Sequence, residues 1–455
     1  MDKHIHFIGI GGIGMSGIAQ LFLSRGVKVS GSDIKKSKIT EELKKQGARI
    51  FIGHCPENIK GADLVVYSSA IKEDNPEFVQ AKTKGVALIK RAQALADLMQ
   101  NKIVITVAGS HGKTTTTSLV SCLLSEAGLR PTAAIGGVLK NMDTNAYSGS
   151  GDFFVAEADE SDGSFLCYNP DYSIITNVDH EHLDYYKEFK NIEAAFSEFL
   201  GRTKKDGCVF CCNDDANLKN ILKDYKNRYL LFGLSEGADI YAKKIEFDGL
   251  ASEFDCFYNN KFIDRFLLNL GGVHNVSNAL SVIALGLELN IEAKVIKRAL
   301  RDYKGAQRRL EIKFRNNDYS VVDDYAHHPT EIKATLAALK NLKPVRLIAV
   351  FQPHRYSRTK LLLEEFAASF VLADYIIVTD IYAASEPRLE GVDGLSLYNA
   401  IRKHVKGKDI YFLPKQEITA HILKIIEPQD MVVTLGAGDI VKVSDELAEE
   451  LKKKS

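Results

Sequence analysis

Long apolar runs are missing from this 455-residue sequence. No segment reaches the ~18 uninterrupted apolar residues that a membrane-spanning helix needs, so a soluble protein that does not enter membranes is expected. Net charge is missing as well. Lys and Arg total 59 and Asp and Glu total 59, which leaves no bulk positive field to recruit nucleic acid and no acidic tail to suggest disorder. Any phosphate binding must therefore be local. The first residues, Met1-Asp-Lys-His-Ile-His-Phe-Ile-Gly9, lack the basic stretch, apolar core and small-residue cleavage site of a signal peptide, and a cytoplasmic location is expected. Cysteine is sparse and odd in number, seven in all, which fits reduced thiols better than a disulfide framework. Cys208-Val-Phe-Cys211 has the spacing of a zinc or redox pair. It lies, however, in the apolar run Gly207–Cys212 that reads as a strand, and no second Cys or His pair follows at ligand spacing. Proline is scarce, and no low-complexity linker or short repeat marks a boundary.

What is present is an alternation of β-branched runs with helical patterns, repeated three times. A chain of this length exceeds one hydrophobic core, and domains of roughly 100–200 residues are expected. Ile5–Ile10, Val27–Ser30 and Leu64–Tyr67 make the first series. Lys102–Ala108, Asp152–Ala156 and Tyr172–Thr176 belong to the second, and Val345–Phe351, Tyr375–Thr379 and Met431–Leu435 to the third. The reading is α/β with parallel sheets, in three consecutive domains over 1–100, 101–311 and 312–455. The outer two are expected to be Rossmann-like and the central one of the P-loop ATPase type.

Two glycine turns follow strands. Gly9-Ile-Gly11-Gly12-Ile13-Gly14 would let a pyrophosphate approach the backbone at a helix start, with Asp33 about 20 residues on, suited to a ribose hydroxyl. By itself this is a weak signal: NAD and an oxidoreductase are one reading, a bare tight turn another. Gly109-Ser110-His111-Gly112-Lys113-Thr114-Thr115 adds a lysine for β- and γ-phosphates and a hydroxyl for Mg2+, between the strand Lys102–Ala108 and an amphipathic helix bearing Leu119, Leu123 and Ala127. Val107 stands where the full Walker spacing has glycine, so the loop is a shorter relative that binds ATP.

Glu157-Ala-Asp159-Glu160-Ser-Asp162 follows a strand, where an open sheet places its ligands, and its oxygens suit Mg2+. Thr176–Asp184 brings His182 and Asp184 to the same edge. His180 and His182 lack the further ligands of a zinc site, so a second Mg2+ with one imidazole is the better fit. Gly272-Val-His274-Asn275 opens a helix ending near Glu288, whose amides would hold adenine or ribose, with simple capping by Asn275 as the competitor. Asp323–Thr330 and Gln352-Pro-His354-Arg355-Tyr-Ser-Arg358-Thr359 are loops after strands. Two arginines three apart match a carboxylate with planar donors, a solvated basic turn being the plain alternative.

Taken in order, His6–Gly17, the Gly-Ser-His-Gly-Lys-Thr loop, Glu157–Asp162, His274–Asn278, Asp323–Pro329 and Phe351–Thr359 resemble the Mur ligases of peptidoglycan precursor synthesis over nearly the whole chain. The resemblance implies a UDP-sugar, not NAD, at Gly11, Gly12, Ile13, Gly14, Asp33 and Ser69. It implies ATP at Gly109 through Thr115 and at Asn275, Arg308 and Asp324, and Mg2+ on Thr114, Glu157 and His182. L-Alanine would meet His327, His354, Arg355 and Arg358, with Lys113, His182 and Arg355 central to turnover. The implied reaction activates the carboxylate of UDP-N-acetylmuramate as an acyl phosphate, which the amine of L-alanine then displaces. A family member that attaches recycled tripeptide lacks the Pro-His-Arg-Tyr-Ser-Arg pattern in its arginine loop. A catalytically silent nucleotide-binding scaffold remains a reading of another class.

Overall fold

The chain, seen in a computed structural model, is described for residues 3–454. The first strand series forms a five-stranded parallel sheet from β1 (His4–Ile8), β2 (Lys28–Asp33), β3 (Arg49–Ile52), β4 (Leu64–Tyr67) and β5 (Ala87–Lys90), ordered β3-β2-β1-β4-β5. Reversal of strand order beside β1 opens a crevice at the carboxyl ends, where such sheets bind ligands. Gly9 ends β1, at φ 80°, two residues before the run Ile5–Ile10 does. The Gly turn therefore sits in that crevice.

The second series is larger than the sequence pattern suggested. It comprises β6 (Ile103–Ala108), β7 (Thr132–Leu139), β8 (Thr144–Tyr147), β9 (Phe153–Glu157), β10 (Tyr172–Ile175), β11 (Cys208–Cys212), β12 (Tyr229–Gly233), β13 (Ile240–Asp248), β14 (Ala251–Tyr258) and β15 (Lys261–Leu268). Their order is β15-β14-β13-β12-β11-β10-β6-β9-β7-β8. The central β6 is parallel to both β9 and β10, and almost its whole length is buried, as a near-continuous apolar run requires when both faces are covered. The cysteines of β11 are buried strand residues, in line with the expectation for Cys208 and Cys211.

One expectation about this sheet is corrected. The helix after the phosphate loop, Lys113–Glu126, is not amphipathic: every residue from Thr114 to Leu124 is buried, with the hydroxyls of Ser118 and Ser121 turned back onto the helix's own carbonyls. Ala127, expected on the apolar face, is the C-cap.

The third sheet contains β16 (Glu311–Arg315), β17 (Tyr319–Asp324), β18 (Leu347–Phe351), β19 (Tyr375–Val378), β20 (Asp409–Phe412) and β21 (Asp430–Leu435), ordered β16-β17-β21-β18-β19-β20. All its pairs are parallel except β16 with β17. By internal contacts the chain divides into two compact units. One holds 1–243, 256–264 and 277–304, and the other 244–255, 265–276 and 305–455. Among the described residues no helix is long and apolar enough to cross a membrane.

Candidate active site

The phosphate loop leaves β6 at Ala108 through two glycines that no other residue could replace cheaply. Gly109 has φ 127°, and a Cβ there would lie 2.2 Å from Thr176 Oγ1; Gly112 has φ 82°, with Asn278 Oδ1 2.8 Å from its ideal Cβ. The loop between them is tied to the end of β10. Ser110 N–H donates to Asn177 O (3.1 Å), its hydroxyl accepts from Asp179 N–H (2.8 Å), and His111 N–H donates to Asn177 Oδ1 (2.8 Å). The His111 imidazole is 3.0 Å from Asp179. Lys113, Thr114 and Thr115 then open the helix, whose free N–H groups and dipole favour an anion.

Lys113 Nζ donates to Gly109 O (2.6 Å), Ser110 O (3.2 Å) and Glu160 Oε1 (2.9 Å). Burial alone would lower this ammonium's pKa, but the carboxylates of Glu160, Asp159, Glu157 and Glu181 outweigh burial and hold it well above the ordinary lysine value. Thr114 donates its hydroxyl to Glu157 (3.0 Å), which also accepts from Gly136 N–H (2.9 Å). Thr114 and Glu157, the two residues expected at one Mg2+, are thus brought together.

Glu160, Glu181 and His182 bring ligand atoms within 4.8 Å of one another. Burial would depress the His182 imidazole, but hydrogen bonds to Glu160 and Glu181 raise it to about 9. His180 points elsewhere: half-exposed, it stacks on Phe189 with centroids 4.0 Å apart. Asp184 is exposed and does not join the cluster. Glu160 stood in the acidic run expected near Mg2+ without a role of its own, and Glu181 is a functional candidate to which the sequence reading gave none.

A cavity of about 330 Å³ lies between the first glycine turn and the end of β9, lined by Gly12, Ile13, Gly14, Arg91 and Asp159 among others. Arg91 is its only cationic lining residue, at 3.6 Å from Asp159. Burial would raise the Asp159 pKa, but Lys113 and Arg91 bring it below the usual carboxylate range. Three of the residues expected at the sugar nucleotide lie outside this lining. Ser69 is exposed and outside the lining, where its neighbour Ser68 stands instead. Gly11 and Asp33 are likewise outside it: Asp33 Oδ2 accepts from Gly11 N–H (2.9 Å) and braces the turn from behind.

The second unit gathers the remaining candidates by itself. Asn275 lies inside the helix Val273–Glu288, not at its cap, and its amide donates to Gly271 O (2.7 Å). Arg308 reaches Asp323 (3.0 Å) and the carbonyls of Gly436 (2.6 Å) and Gly438 (3.1 Å), tying down the end of β21. Asp324 accepts from Leu310 N–H (2.7 Å) and Ala326 N–H (2.8 Å), and burial raises its pKa to about 6. These engagements make Arg308 and Asp324 builders of the loop framework. His327 and His354 pack edge to face at 5.8 Å, Arg358 lies 3.4 Å from His354, and Tyr382 stacks on His354 at 5.6 Å. Burial first, then His327 and the arginines, lower the His354 pKa to about 3. Arg355, at φ 69°, caps the short helix Tyr356–Leu361 in a conformation that costs a non-glycine residue about 1–3 kcal/mol.

Three successive segments match known family descriptions. Residues 4–103 match the Mur ligase family catalytic domain, 107–286 the Mur ligase middle domain, and 308–438 the Mur ligase glutamate ligase domain. The chain belongs to the Mur ligase family. This Mur ligase is 46% identical to the UDP-N-acetylmuramate–L-alanine ligase of Desulforapulum autotrophicum over 99% of both chains. It is 47% identical to the ligase of the same name from Sulfurihydrogenibium, over 99% of this chain and 98% of that one. Among solved structures, the UDP-N-acetylmuramate–alanine ligase of Thermotoga maritima superposes with a TM-score of 0.85 at 30% identity, covering 99% of this chain and 100% of that one. A murein peptide ligase from Psychrobacter arcticus gives 0.71 at 26%, over 99% and 98%. The expected three-domain α/β Mur ligase fold is therefore the observed one.

Proposed function

We propose that this Mur ligase joins L-alanine to the carboxylate of UDP-N-acetylmuramate, with ATP converted to ADP and phosphate through an acyl phosphate, in peptidoglycan precursor synthesis. The observation that carries the reading is likeness end to end, at 46% and 47% identity, to ligases of that name. The Lys113 loop supports it, because a partly buried ammonium kept charged among carboxylates suits a transferring phosphoryl group. An oxidoreductase would need a hydride acceptor in the first crevice and has no use for such a lysine.

On the same reading, labour is divided among the residues. Gly12, Ile13 and Gly14 present backbone to the sugar nucleotide in the cavity, and Arg91 offers it charge. Gly109 to Thr115 cradle the triphosphate, with Lys113 on its γ end. Arg355 and Arg358 receive the alanine carboxylate, beside a His354 that stays neutral and accepts or donates one hydrogen bond. We place domain boundaries at 100/101 and 311/312.

The donor set also fits Mg2+. Thr114 and Glu157 converge hard oxygens, and Glu160 Oε2 is buried with no hydrogen-bond partner. Mg2+ held by Thr114 and Glu157, and a second ion by Glu160, Glu181 and His182, would neutralise charge on the phosphoryl group. For that, His182 gives up the proton that Glu160 and Glu181 now hold on it.

The test is ADP formation by the purified full chain. Turnover is expected only when UDP-N-acetylmuramate, L-alanine, ATP and Mg2+ are together; ADP release indifferent to the amino acid overturns the reading. Replacing alanine by tripeptide tests the nearer relative activity, and tripeptide preferred over alanine would reassign the chain to it.

A further inference from the structure

Three residues that are neither glycine nor asparagine have left-handed backbone on two adjoining loops of the second unit: Arg355 (φ 69°), Ala384 (φ 48°) and Ser385 (φ 69°). A Cβ makes that region unfavourable, and such strain persists where the surroundings over-determine it, often at ligand sites. Here the surroundings are identifiable. Arg355 N–H donates to Tyr382 O (2.9 Å) and Tyr382 N–H returns to Pro353 O (2.8 Å), so the loop after β19 grips the arginine loop backbone to backbone. Ala384 and Ser385 are the central pair of a turn closed by Glu386 N–H to Ala383 O (2.9 Å), a position pair with φ > 0 that asparagine and glycine ordinarily fill. The turn aims Glu386 at the arginine loop. Its two oxygens accept from the N–H (3.1 Å) and the hydroxyl (2.6 Å) of Ser357. Arg355 makes no side-chain cap for the helix it opens, so Glu386 satisfies from another loop an N–H that the helix leaves over.

We propose that Glu386 is a positioning residue for the amino-acid substrate: by holding both donors of Ser357 it locks Arg355 in its left-handed conformation and sets the spacing of Arg355 and Arg358 that receives the substrate carboxylate. This rests on the alanine-ligase reading above. The chemistry of the placement is specific. A carboxylate near two arginines would compete with the substrate's own carboxylate, but both oxygens of this one face Ser357. Its contribution is geometry, and an amide of the same shape can supply it, accepting from the N–H through oxygen and donating to the hydroxyl through nitrogen.

Steady-state kinetics of the full chain, with ATP, UDP-N-acetylmuramate and L-alanine varied in turn, test this in Glu386→Ala and Glu386→Gln. Glu386→Ala is expected to raise the KM for alanine about tenfold or more, with the other two KM values and Tm changed little. Glu386→Gln is expected to stay within about threefold of the unmodified protein in alanine KM. An alanine KM unmoved by Glu386→Ala overturns the proposal. So does Gln as damaging as Ala, since charge would then be the contribution, and so does a rise in all three KM values together with a fall in Tm. Absence of alanine-dependent ADP formation in the unmodified protein fails the ligase reading itself and takes this inference with it; normal formation with unresponsive variants fails the inference alone.

Discussion

Lys113 is partly buried, and desolvation alone would favour the neutral amine; four carboxylates around it settle the matter in favour of the ammonium. Lys113→Ala removes the charge at the γ-phosphate and leaves the buried Glu160 with His182 alone as its cation. ADP formation is expected to fall on the order of 10²–10³-fold, measured at saturating substrates. His354 poses the opposite case. Its folded pKa of about 3 lies below the ordinary 6.5, so unfolding takes up a proton in that interval. Stability attributable to this residue is whole above pH ~6.5 and is lost as pH falls toward 3; near pH ~4.5 the loss is at most about 2–3 kcal/mol. His354→Gln is expected to lose less stability than the unmodified protein between neutral and that acid pH, read by denaturant melts at each pH. At this scale, the residues legible in the sequence are those standing in runs, such as Gly109–Thr115. Glu160 was not legible as the partner of Lys113, because the two are 47 positions apart and only the β6–β9 pairing brings them together.

At the level of elements, the phosphate loop depends on the absence of side chains at two points. Gly109→Ala would place a Cβ 2.2 Å from Thr176 Oγ1, with the backbone of Asn177 at 2.9 Å, so the loop itself must move. Loss of ATP affinity by at least about tenfold, beyond any change in Tm, is expected from nucleotide titration. The strands and the glycine turns were readable from periodicity and punctuation. The hairpin β7–β8 and the strands β12 to β15 were not, since runs such as Lys243-Lys244 in β13 and Asp264-Arg265 in β15 set charged residues side by side and break the alternation that marks a strand. The helix after the phosphate loop was misjudged for a physical reason: serine and threonine count as polar in a pattern, yet Ser118 and Ser121 bury their hydroxyls by bonding back to carbonyls four residues earlier.

Across the whole molecule, three sheets were expected and three are found, but the division of contacts into two units was not foreseen. The segments 244–255 and 265–276 group with the C-terminal sheet although their sequence lies among the strands of the central one. Periodicity carries no information about such grouping. Arg91 belongs to this scale because it stands at the start of a helix from the first series and meets Asp159 after β9 of the second. Arg91→Ala is expected to raise the KM for UDP-N-acetylmuramate about tenfold, equivalent to 1.4 kcal/mol, while the KM for alanine is unchanged; a uniform effect on both would assign the arginine to folding.

The cavity beside Arg91 has walls from both of those sheets, the first glycine turn on one side and Gly136, Glu157 and Asp159 on the other. A sugar nucleotide seated there acts as mortar between two courses of the building. Occupancy at about 100 times its Kd adds about 2.7 kcal/mol to the folded state. That increment falls on the joint between the sheets, so the connector near residue 101 should become the segment most shielded from protease when substrate is bound.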